Sequence, residues 1–121
     1  MPLTSKNVYK KILGRSGEKV AVKYLKKNKY EILATNYTTH VGEIDIIAKD
    51  KEYVVFVEVK TRTSDLFGMP SEAVNREKQR KYGKVAQEFL LKNGYTDRPC
   101  RFDVVEVINK EINHIINAFC M

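Results

Sequence analysis

The sequence predicts an α/β fold, a central mixed β-sheet flanked by helices in the order α-β-β-β-α-β-β, over a single domain of residues 1–121. Three observations predict it. The chain opens on a long stretch with helical spacing of apolar residues, and a second such stretch follows mid-chain. Between them, GEIDIIAKDKEYVVFVEVKTR (residues 42–62) holds two runs rich in β-branched residues joined by a polar turn. After the second helical stretch comes RFDVVEVI, another run of the same kind. A chain of 121 residues supports one domain with a modest core.

The first helix is expected over Val8–Asn28, with Leu13, Gly17, Val20, Ala21, Tyr24 and Leu25 recurring at helical spacing. Tyr30–Asn36 (YEILATN) reads as a strand. Gly42–Ala48 and Tyr53–Arg62 read as a hairpin around Lys49-Asp50-Lys51. Asp65–Met69 is a predicted loop, and Pro70 suits the first turn of a helix that runs to about Lys92, where Asn93-Gly94 supplies a stop. Arg101–Ile108 is the fourth strand and His114–Phe119 a short last one.

The formal charge of +7 is unevenly distributed. Residues 1–30 hold eight lysines, Arg15 and a single acid, Glu18, while the rest carries 13 basic and 14 acidic side chains. A basic segment on a balanced domain suits a polyanion, with Arg15 and Lys19 among its contacts. The alternative is that Lys26, Lys27 and Lys29 only complement the helix dipole. No apolar run is long enough to span a bilayer, and the first residues lack the pattern of a secretory signal, so a cytoplasmic protein is expected. Cys100 and Cys120 have neither the spacing nor the histidine partners of a zinc site and are read as incidental thiols.

The hairpin carries carboxylates where the sheet looks most buried. Glu58 and Lys60 alternate onto the face of Val54 and Phe56, and Glu43 and Asp45 share a face on the preceding strand. A turn at Asp50-Lys51 places Asp45 opposite Phe56; a wider loop places it opposite Glu58. In either register Asp45 and Glu58 come within roughly 5 to 8 Å, unless a bulge intervenes. Such a pair repels unless a proton or cation lies between, and Mg²⁺ binds through one or two carboxylates plus water and phosphate. Lys60 would stand beside the metal and orient an attacking water. The competing reading is a solvated hairpin edge with an ordinary Glu58–Lys60 surface pair. Glu18 lies on or beside the packed face of the first helix. Lys78, between Val74 and Tyr82 at four-residue steps, reads by itself as a snorkelling side chain.

Together these residues resemble the YraN-like family of bacterial proteins, which is placed among the PD-(D/E)XK restriction-endonuclease-like nucleases. The matching segments are Gly17-Glu18 with Ala21 and Tyr24-Leu25, then ILATN, GEIDIIAKD, VFVEVKTR, FGMPSEAV with Lys78, and RFDVVEV. The resemblance implies a restriction-endonuclease-like fold and a Mg²⁺- or Mn²⁺-dependent nuclease acting on DNA, at branched or damaged structures in the manner of Holliday-junction resolvases. It implies metal ligands at Asp45, Glu58 and the backbone carbonyl of Val59. Lys60 would position the water, and Glu18 would match the first-helix acid of archaeal junction resolvases, near the metal or bound to it through water. Lys78 and Arg62 would contact nucleic acid. The roles of Glu43 and His40 stay open. After Asn36-Tyr37 the chain has Thr38, Thr39 and His40 where the family pattern calls for a basic residue.

The alternative function is a non-catalytic nucleic-acid-binding module that keeps the fold and needs the lysines of the first helix but not the acids. A third reading, an interaction protein in DNA uptake or repair, has no discriminating residue. Cutting both strands of a duplex takes two sites, so a homodimer is expected, formed through a surface strand or the apolar tail Ile115–Met121.

Overall fold

A computed structural model describes residues 5–62, 75–109 and 111–119, with side chains from residue 16 onward. The element order is as the sequence predicts: α1 (Ser5–Lys27), β1 (Glu31–Thr38), β2 (Glu43–Asp50), β3 (Tyr53–Arg62), α2 (Arg76–Lys92), β4 (Cys100–Ile108) and β5 (Glu111–Phe119). The strands form one sheet in the order β1-β2-β3-β4-β5, antiparallel except for β3 and β4. That parallel pair requires a crossover, which α2 supplies.

The central strand is apolar on both sides because both sides are covered. Val54 and Phe56 belong to a core with Tyr82, Val85, Ala86 and Phe89 of α2. Val55 and Val57 belong to a second core with Ala21 and Leu25 of α1. The polar ends of β3 therefore mark where the two helical layers stop protecting the sheet.

Helix α1 starts three residues before the expected Val8, β1 and β2 each end two residues later than expected, and three further differences have a visible cause. The hairpin turn is Lys51-Glu52, with Asp50 paired to Tyr53 and Lys51 at φ 55°. The tight turn is built without glycine, so its usual signal is missing. Helix α2 begins at Arg76, because Asn75 is extended (φ −67°, ψ 161°) and its side chain caps the Lys78 N–H; Pro70 and the predicted 65–69 loop lie outside the described residues. Strand β5 starts at Glu111, earlier than expected, because its polar residues face buried acids. Asn113 Nδ2 donates to Glu106 at 2.8 Å, and His114 Nε2 meets Asp103 at 2.7 Å.

Asp103 is the hub of that far side of the sheet. It accepts from Arg101 Nε (3.1 Å) and the Asn117 N–H (2.9 Å), while Arg101 also reaches the Tyr30 hydroxyl (2.7 Å) and Asp50 (3.2 Å). The other nitrogen of His114 meets the Tyr24 hydroxyl at 3.0 Å, which ties β5 to α1. Burial alone would raise the Asp103 carboxyl, but the hydrogen bonds from His114, Asn117 and Arg101 outweigh it and hold the group below its ordinary value.

Helix α1 approaches β3 through a glycine. A Cβ at Gly17 would overlap Thr61 Oγ1 and lie 3.2 Å from Thr61 Cβ. Gly17 thus permits a close contact that seats Glu18 beside the end of the hairpin.

Two outcomes are expected in denaturant titrations. Gly17→Ala lowers stability by about 1–3 kcal/mol through overpacking, although alanine is the better helix former, and Thr61→Ala in the same chain restores most of it. Asp103→Asn costs on the order of 3 kcal/mol near neutral pH by leaving Arg101 without its buried partner. Because the folded value of Asp103 is depressed, its contribution is full above the usual carboxylate range and disappears as pH falls through the folded value. The difference between Asp103→Asn and the parent therefore narrows in acid.

Candidate functional site

Strand alternation breaks at the end of the hairpin. Ile44 packs in the α2-side core, whereas Ile46 and Ala48 pack in the α1-side core and Ile47 returns to the α2 side. Two residues apart, Ile44 and Ile46 should share a face, so β2 changes face at Asp45. Strand β1 does the same: the pairs Thr35↔Ile46 and Tyr37↔Ile44 flank Asn36, whose φ is 51°. Asparagine is among the few side chains that enter this left-handed region at small cost. The β2–β3 ladder runs from Asp50↔Tyr53 to Ile46↔Val57 and stops one step short of Asp45 and Glu58. Of the two registers considered from the sequence, this is the one that sets Asp45 toward Glu58. Unbroken face parity through Asp45, however, does not hold.

The freed backbone is met by side chains. The Asp45 carboxylate accepts the Val59 N–H at 2.8 Å, taking over where the ladder ends. Asn36, with its amide oriented so that Nδ2 faces the acids, donates to Glu18 Oε2 and Glu43 Oε1, both at 3.0 Å. One amide thus joins the acid of α1 to an acid at the start of β2. Sequence reasoning missed Asn36. The signal was an Asn before an aromatic inside a strand, a position that neither β-propensity nor packing explains.

Four carboxylates gather around this end of the sheet. Burial first, then the charges of Glu18, Glu58 and Glu43, push Asp45 up to about 6 against the lowering effect of the Val59 N–H. Glu58 is 4 % exposed. One of its oxygens pairs with the Lys78 ammonium of α2, and the other is buried with no hydrogen-bond partner among the described residues. The Lys78 ammonium also lies 5.8 Å from the centre of the Tyr82 ring. Burial, followed by Glu58, Asp45 and Glu43, raises the Tyr82 phenol and keeps it protonated.

The remaining predicted residues divide. Lys60 is half-buried at the end of β3, opposite Glu106 of β4. Lys78 is brought to Glu58, not merely laid over the core. Lys19 is exposed on α1, and Arg15 lies in α1 with its side chain outside the described residues. Arg62, expected at a nucleic-acid surface, is instead held by buried Glu106 at 2.9 Å, with its side chain 16 % exposed. A buried carboxylate requires a paired cation, and Arg62 fills that requirement. At Val59 the observed contact is the N–H toward Asp45. The motif FGMPSEAV falls outside the described residues. His40 is exposed in the turn between β1 and β2.

A cleft of about 540 Å³ opens between α1 and the β1–β2 edge, lined by Glu18, Lys19, Val22, Lys23, Lys26, Thr35, Asn36, Asp45 and Ile46. Glu18 and Asp45 therefore sit in a cleft with a basic wall, an arrangement that can hold a phosphate group beside carboxylates.

A family model described as "Uncharacterised protein family UPF0102" matches residues 17–107, from the glycine at the α1–β3 contact almost to the end of β4. The chain belongs to the UPF0102 family. Similar UPF0102 proteins include one from Caldanaerobacter subterraneus subsp. tengcongensis, 49% identical over 121 residues that cover 94% of this chain and 99% of the relative. Another, from Alkaliphilus oremlandii, is 54% identical over 115 residues, 90% of this chain and 98% of the relative. A third, from Clostridioides difficile, is 49% identical over 108 residues, 88% and 95% respectively. The YraN-like resemblance holds at this level. Among the described residues, no helix of this UPF0102 chain is long and apolar enough to cross a membrane.

The raised Asp45 carboxyl has a consequence for stability in the absence of divalent cations. Its folded value lies about two units above the ordinary one, so the charged form opposes folding by on the order of 2 kcal/mol. Asp45→Asn, which can still accept the Val59 N–H, is expected to be more stable than the parent by about that amount at pH 7–8. The gain shrinks as pH falls from about 6 toward the ordinary value and is absent below it. Thermal melts in EDTA across that range check the sign.

Proposed function

We propose that this chain is a divalent-metal-dependent nuclease that hydrolyses phosphodiester bonds in DNA, on a restriction-endonuclease-like fold of the PD-(D/E)XK type. The observation that carries the proposal is the uncompensated negative charge at the end of the hairpin. One Glu58 oxygen is buried with no partner among the described residues, and Asp45 is driven up to about 6 by burial and by the acids around it. A cation relieves both. Among the described residues no group of three or more His, Cys, Asp or Glu side chains is placed to hold a metal ion. The proposed protein ligands are therefore two carboxylates, and Mg²⁺ or Mn²⁺ takes one or two and fills the rest of its shell with water and phosphate.

Asp45 and Glu58 would hold the ion, and Glu18, tied to Glu43 through Asn36, would reach it through water. The bound ion would supply a lowered pKa for coordinated water and charge neutralisation at the phosphate. Lys60, beside Glu58 on β3, would orient the attacking water and offset charge on the pentavalent phosphorus centre. Lys78 pairs with Glu58; with that carboxylate turned to a cation, its ammonium would be available to a phosphate oxygen. Two-strand cutting would use a homodimer.

The Lys78–Glu58 pair also favours a second reading, a nucleic-acid-binding module without catalysis, in which the ammonium is a permanent internal counter-charge. A cleavage panel separates the two. Duplex, single-stranded, flapped and four-way-junction DNA are incubated with Mg²⁺ or Mn²⁺. The nuclease cuts at least one of them. Asp45→Asn and Lys60→Ala reduce cutting by roughly a hundredfold or more while leaving DNA affinity largely intact. No cleavage of any substrate, together with DNA binding indifferent to divalent ions, establishes the binding module.

A further inference from the structure

The cleft beside α1 has one charged wall. Lys19, Lys23 and Lys26 stand at i, i+4 and i+7, so they form a single row along one helix face. All three are exposed, and among the described residues none of them is in a salt bridge. The opposite wall, Thr35 and Asn36, is neutral, and Val22 and Ile46 supply the apolar part of the lining. Glu18 and Asp45 belong to the same lining, so the row of lysines and the acids share one cavity.

We propose that this cleft binds one unpaired strand of DNA through its phosphates and leads it to Glu18 and Asp45. The delivery rests on the nuclease reading above; the binding does not. A single row of ammonium groups matches a single row of phosphates. From Lys19 to Lys26 the helix rises about 10 Å, which spans about three phosphates at the roughly 3.4 Å rise of one stacked strand. A duplex presents two rows, and the neutral Thr35–Asn36 wall offers nothing to the second. Asp45 is also recessed, so a phosphate must enter the cleft to reach it. An unpaired backbone can bend inward where a rigid duplex cannot. Among the described residues no aromatic ring lines the cleft, so these offer no platform for stacking bases. Recognition is therefore by phosphate and sugar, without sequence preference, with half-buried Val22 against the sugars.

The test measures affinity without catalysis. Fluorescence anisotropy in EDTA follows binding of a labelled oligo-deoxythymidine, and of a blunt duplex of equal length, over a series of salt concentrations. The proteins are the parent, the α1 triple variant Lys19→Ala/Lys23→Ala/Lys26→Ala, and an α2 triple variant Arg80→Ala/Lys84→Ala/Lys92→Ala that removes the same charge elsewhere. Alanine favours both helices, and thermal melts confirm folding. On the single strand, the α1 variant is expected to lose about two units of the log–log salt slope and roughly tenfold or more in affinity. The α2 variant loses less than about half a unit. The blunt duplex binds the parent more weakly than the single strand. Equal losses from the two triple variants, or a duplex held as tightly as the single strand, overturn the inference. A protein that binds as expected yet cuts nothing retains the strand path and loses the nuclease. One that cuts DNA with the three lysines dispensable does the reverse.

Discussion

Where β1 and β2 change face together, at Asn36 and Asp45, the sheet gives up regular pairing, and the candidate site is built from what that releases. The β2–β3 ladder ends at Ile46↔Val57, and the Asp45 carboxylate takes the next N–H, that of Val59. A continuous ladder would have kept Asp45 in strict alternation with Ile47. The break brings its carboxylate into the cleft beside α1 while Glu58, two residues beyond Phe56 on an unbroken strand, still reaches α2. The left-handed backbone of Asn36 makes the switch possible, and its amide then bridges Glu18 and Glu43. One residue thus serves the backbone and the charge arrangement at once.

Neighbouring strands handle buried acids in opposite ways. On β4 both buried acids are compensated: Asp103 by Arg101, His114 and the Asn117 N–H, and Glu106 by Arg62 and Asn113. That network couples β4, β5 and α1 and gives the fold a rigid margin. At the hairpin end compensation is incomplete. Asp45 is raised, and a Glu58 oxygen has no partner among the described residues. Folded proteins rarely leave such groups unpaired, and where they do the reason is commonly a ligand or a reaction. The contrast within one small sheet is what separates structural acids from site acids here.

The order of elements was legible because hydrophobic periodicity and β-branched runs are local signals. Val54–Val57 could be read as buried on both faces, and it is covered by α1 on one side and α2 on the other. The start of β5 was not legible: Asn113 looks like a loop residue until Glu106 is known to face it. The site was legible in part. Asp45, Glu58, Lys60 and Glu18 stood out as charges at odds with their apolar surroundings. Asn36 did not, because a neutral side chain raises no such conflict. The partner of Arg62 was not legible either, since a positive charge near a site looks available until buried Glu106 is seen beside it.

The sequence by itself determined which segments are helix and strand, that the central strand is doubly covered, and that acids and a lysine cluster at its end. These follow from patterns a few residues long. Only the tertiary structure decided which charges meet. Glu18 reaches Glu43 through Asn36, Lys78 of α2 reaches Glu58, and Lys19, Lys23 and Lys26 share a cleft with Asp45. Those pairings depend on where the helices pack and on a break in alternation at two facing residues, and neither is encoded in the periodicity of any single segment.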